Sequence, residues 1–66
     1  MKLLDSVALL EDQPEHHLKR GQVGTIVELL TEDVIEVEFV DEQGQTYALV
    51  PVATACLLHL HHQQVA

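Results

Sequence analysis

Along Val34-Ile35-Glu36-Val37-Glu38-Phe39-Val40 the side chains change character at almost every step: Ile35, Val37 and Phe39 are apolar, Glu36 and Glu38 charged. Successive side chains of an extended chain point to opposite faces, so a period of two builds a strand with one dry face and one wet face. A helix would scatter the same residues around its circumference. A lone strand buries little, so this one needs neighbours.

The rest of the chain supplies them. Residues 5–10 read as a first strand. Leu3, Leu4, Val7 and Leu10 also sit at helical spacing, but the run is short, lacks a cap and ends before Pro14, which disfavours helix at Gln13. Residues 11–21 form the longest polar segment and predict the main surface loop, closed by Gly21. Residues 22–30 predict a second strand, in which Gly24 marks a bulge or a place where another backbone comes close. Thr31-Glu32-Asp33 makes a polar turn. Asp41-Glu42-Gln43-Gly44 has hairpin-turn composition, with Gly44 as the left-handed residue.

Residues 45–50 predict the next strand, Tyr47 and Leu49 on one side and Thr46, Ala48 and Val50 on the other. Pro51 cannot donate to a ladder and is expected to end it. Residues 52–55 suit one tight helical turn at a corner. Residues 56–61 then form the last strand, with Leu58 and Leu60 inward, and residues 62–66 are expected to fray. The expected fold is all-β, a small SH3-like barrel of about five antiparallel strands with a short 3-10 turn before the last. It forms a single domain over residues 1–66.

Size and charge narrow what such a domain can do. A core built from 66 residues leaves net stability of roughly 3–5 kcal/mol. Cys56 is the lone cysteine, which excludes an intramolecular disulfide and fits a reducing cytoplasm. No leader or membrane-crossing run is expected. Lys2, Lys19 and Arg20 stand against eleven acidic residues, a formal charge of −8. That field repels phosphate backbones and argues against nucleic acid as a partner.

The stretches Met1-Lys2-Leu3-Leu4-Asp5 with Val7-Ala8-Leu9, Leu18-Lys19-Arg20-Gly21-Gln22-Val23-Gly24-Thr25-Ile26-Val27-Glu28 and Glu36-Val37-Glu38-Phe39-Val40-Asp41, with Gly44, together resemble a family of very short bacterial proteins. It is the domain of unknown function 4926, which has cyanobacterial members. The resemblance implies an SH3-like barrel and carries no catalytic residues. The glycine-rich turn is also similar to the KOW motif of ribosomal and transcription proteins. Those modules bring abundant Lys and Arg that this chain lacks, so RNA binding does not transfer.

His16-His17 and His59-x-His61-His62 carry imidazoles, and His59 and His61 share a strand face. A zinc site needs three or four ligands held by further partners, so adventitious binding is the expectation and no cofactor or metal is assigned. Glu36 and Glu38 share one wet environment, whereas an acid/base pair needs two different ones. Cys56 has no base nearby in sequence, and Gly21-x-x-Gly24 is followed by neither a helix nor a lysine. An enzyme is therefore not expected.

The expected function is an acidic interaction module or accessory subunit, a monomer or weak homodimer, that binds a protein with a basic surface. The candidate binding residues are Glu11, Asp12 and Glu15 in the long loop and Glu36 and Glu38 on the wet strand face. An immunity or antitoxin protein covering a basic toxin is the alternative, and a KOW-like nucleic-acid module is a second one that the charge disfavours.

Overall fold

A computed structural model describes residues 1–60. The alternating segment forms β3 (Val34–Val40), with Ile35, Val37 and Phe39 buried and Glu36 and Glu38 half-buried on the other side. Around it run β1 (Ser6–Leu9), β2 (Val23–Leu29), β4 (Thr46–Ala53) and β5 (Leu57–Leu60). The five strands form one sheet in the order β4-β3-β2-β1-β5, each neighbouring pair antiparallel. A turn of 3-10 helix, Thr54–Cys56, precedes β5. The all-β, five-stranded expectation holds. No helix among the described residues is long and apolar enough to cross a membrane.

Cross-strand rows build the core. Ile26, Val37 and Val50 stand opposite one another across β2, β3 and β4, and Ile35 and Val52 pair beside them, with Leu29 at the half-exposed end of that second row. Val7, Leu9, Leu18, Phe39 and Leu57 complete the buried cluster. Gly24 is where backbones come close. A Cβ there would lie 2.6 Å from Val37 Cγ1, 2.8 Å from the Glu38 carbonyl oxygen and 2.9 Å from Phe39 Cε1.

The structure corrects several boundaries. Pro51 does not end its strand, because β4 is an edge of the sheet, where a residue without an N–H is tolerated. The tight turn consequently lies at Thr54–Cys56 rather than 52–55, and Val52 belongs to the core. Strand β5 therefore begins at Leu57, whose partner is Leu9. Leu57 is buried and Leu58 is exposed, the reverse of the parity expected from Leu58 and Leu60. The bulge of β2 falls at Val27, between the pairs Ile26–Val37 and Glu28–Glu36, and not at Gly24.

The long loop is more than a polar connection. Pro14–His16 forms a 3-10 turn, Gln13 and Leu18 bridge across it, and Leu18 is buried as its anchor. The Asp41–Gly44 turn behaves as expected: Gly44 has φ 79° and the Asp41 side chain accepts from the Gln43 and Gln45 N–H groups, both at 2.9 Å. The expected fraying of residues 62–66 lies outside the described residues.

Candidate functional site

The wet face of β3 gathers more acid than its own sequence announces. Glu36 stands directly opposite Glu28 of β2, so three carboxylates, Glu28, Glu36 and Glu38, share one face of two paired strands. Strands β2, β3 and β4 contain neither Lys nor Arg to neutralise them. Directly opposed like charges in a sheet destabilise it. Glu38 is held by the Thr46 hydroxyl, which donates to its Oε2 at 2.5 Å. On the same face of β4, Leu49 pairs with Glu38 and Pro51 with Glu36, so apolar groups flank the carboxylates.

Sequence reasoning missed Glu28, and the bulge is the reason. Simple alternation from buried Ile26 would turn Glu28 inward. The extra residue at Val27 shifts the parity and turns it outward beside Glu36.

The loop acids have different surroundings. Asp12 Oδ1 accepts from the Arg20 backbone N–H at 2.9 Å, which ties the two ends of the loop together. The Cys56 thiol donates to Glu11 Oε1 at 3.0 Å and joins the loop to the turn before β5. That carboxylate acceptor, with some desolvation, pushes the thiol pKa up and leaves Cys56 a poorer nucleophile. Glu15 stands exposed in the Pro14–His16 turn. The five expected residues thus fall into two groups: Glu36 and Glu38, joined by Glu28, on the sheet; and Glu11, Asp12 and Glu15 on the loop.

One further contact, between His59 of β5 and Asp5, staples the other end of the sheet. His59 Nε2 lies 2.8 Å from Asp5 Oδ2, and the Lys2 backbone N–H donates to the same oxygen at 2.8 Å. The backbone N–H, with His59 beside it, holds the Asp5 carboxyl below its ordinary pKa. Among the described residues no group of three or more His, Cys, Asp or Glu side chains is arranged to hold a metal ion. His61 and His62 lie outside the described residues.

Residues 3–59 match the family described as domain of unknown function (DUF4926). No curated protein and no solved structure matches the chain. The match covers the long loop, both 3-10 turns and every strand except the final residue of β5. The protein belongs to the DUF4926 family.

Proposed function

We propose that this protein is a small acidic interaction module, or accessory subunit, whose outer β2–β3–β4 face receives the basic surface of a partner protein. The observation that carries this reading is the alignment of Glu28, Glu36 and Glu38 across two strands with no Lys or Arg on the three strands of that face. Carboxylates fixed on a rigid sheet are preorganised for Lys and Arg, and a chain of formal charge −8 steers such a partner from a distance. Leu49 and Tyr47, exposed beside them on β4, add apolar area. The strand order, with a helical turn before the last strand, supports reading the fold as an SH3-like barrel, and the lone Cys56 fits a reducing cytoplasm. Proline-rich peptides are not the proposed ligand, since their grooves are lined by several aromatics and this chain has Phe39, which is buried, and Tyr47.

The test is capture from native cell extract across a salt series. A basic protein is expected to be retained at low salt, released as salt rises, and lost when Glu36→Lys and Glu38→Lys are combined. Repeated failure to capture one at low salt, with the bait shown to be folded, sinks the reading.

A further inference from the structure

The outer face of the sheet has two halves of opposite character. On the half away from the glutamates, Ala8 of β1 stands directly opposite Val23 of β2 and Leu58 of β5, so the three form one cross-strand row. Val7 and Leu9, on either side of Ala8 in the chain, belong to the core, and the row therefore faces outward. The next row, Thr25, Ser6 and Leu60, is uncharged as well, and Glu38, the partner of Thr25 on β3, marks where the acidic half begins.

The row has relief. Val23 and Leu58 are 55% and 51% exposed, whereas Ala8 between them is 9% exposed, so two bulky side chains flank a notch one alanine wide. Val40, two residues past Glu38 on the same face of β3, is also half exposed and carries the apolar surface one strand further. Leu10, two residues past Ala8, still lies beside the start of β5, since its N–H donates to the Cys56 carbonyl at 2.9 Å, and it too is half exposed. Apolar side chains lined up across paired strands mark an interaction surface more than scattered exposed leucines do.

We propose that two copies of the chain associate through this half of the outer face. Charge decides the occupant. A basic partner finds no carboxylate in either row, because Glu28 and Glu36 stand on the other half. A second copy brings the same neutral surface, and the two formal charges of −8 meet where neither chain places an acid. The rim supplies opposite signs. Glu11 follows Leu10 at the end of β1, Lys19 and Arg20 precede β2, and among the described residues neither cation is paired with a carboxylate. A two-fold axis between β1 and β2 sets Val23 of each copy in the notch over Ala8 of the other, Leu58 against Val40, and Glu11 toward Lys19 and Arg20. This contact uses none of Glu28, Glu36 and Glu38, so a dimer presents two acidic faces, and the inference stands or falls apart from the basic-partner reading.

The experiment is sedimentation velocity of the full chain over a concentration series, each variant being shown folded by circular dichroism. Dimerisation that rises with concentration is expected, and it should survive the salt that releases a basic partner. Leu58→Thr keeps strand propensity and should weaken association about tenfold, because each substitution is made twice in a two-fold contact. Leu49→Thr removes a leucine of the same 51% exposure on β4 and should leave association unchanged. Lys19→Glu combined with Arg20→Glu should weaken the dimer at low salt.

A chain that stays monomeric to roughly millimolar concentration overturns the proposal. So does a dimer that Leu49→Thr weakens as much as Leu58→Thr, or one that the reversal of Lys19 and Arg20 leaves unmoved. Nuclear Overhauser contacts from residues 61–66 to Val23 and Leu58 in the monomer assign this face to the chain's own end and overturn it as well.

Discussion

At Gly24 a hydrogen in place of a methyl decides whether β2 can lie against β3. A Cβ would stand 2.6–2.9 Å from two core side chains and, most restrictively, from the Glu38 carbonyl oxygen, which cannot swing aside as a side chain can. Gly24→Ala is therefore expected to cost about 1–3 kcal/mol, the range for overpacking a well-filled core. Against the roughly 3–5 kcal/mol expected of a domain this small, that is a large fraction. Urea unfolding followed by circular dichroism measures it. Gly44→Asn is the comparison: Gly44 has φ 79° with open space around it, and asparagine tolerates that backbone. A midpoint for Gly24→Ala equal to that of Gly44→Asn would mean that the close approach is unimportant. The sequence separates the two, Gly44 in a polar turn and Gly24 inside a strand, and the fold decides between bulge and close approach at Gly24 in favour of the second.

Between elements, the opposition of Glu28 and Glu36 sets stability against binding. Two carboxylates directly across an antiparallel pair repel, so Glu28→Thr is expected to stabilise the protein by about 0.2–1 kcal/mol while weakening capture of a basic partner. Paired measurements of the urea midpoint and of capture check both signs; a variant that is less stable, or that binds better, contradicts the argument. The same pair shows how far the sequence could be read. Strand β3 was legible because its alternation admits one register, and Glu36 and Glu38 followed from it. Glu28 was not, because Val27 carries no glycine or turn residue to announce the bulge that reverses parity. Leu57 and Leu58 are both apolar, so only the pairing of Leu57 with Leu9 reveals which faces inward. Pro51 read as a strand end until the sheet order made β4 an edge. The loop acids were legible as acids, but the bonds that engage Glu11 and Asp12 depend on Cys56 and on the Arg20 backbone brought near by folding.

For the whole molecule, salt should act on the free protein and on its complex with opposite signs. Eleven acidic residues against three basic ones give a formal charge of −8, and packing that charge onto a small domain opposes the folded state. Added salt screens the repulsion, since the Debye length falls from about 10 Å at 0.1 M to about 3 Å at 1 M. The melting midpoint of the free chain is therefore expected to rise with sodium chloride, by roughly 4–8 °C for each kcal/mol of repulsion relieved in a domain of this size. The same screening removes the attraction that holds a basic partner, so retention should fall over the same range. Calorimetry and capture in matched buffers measure the two trends. Their divergence separates screening from a general loss of structure, because a chain that was merely unfolding would lose midpoint and partner together. If instead retention and midpoint rise together with salt, apolar surface dominates the contact, and Tyr47 and Leu49 become the residues to change before any glutamate.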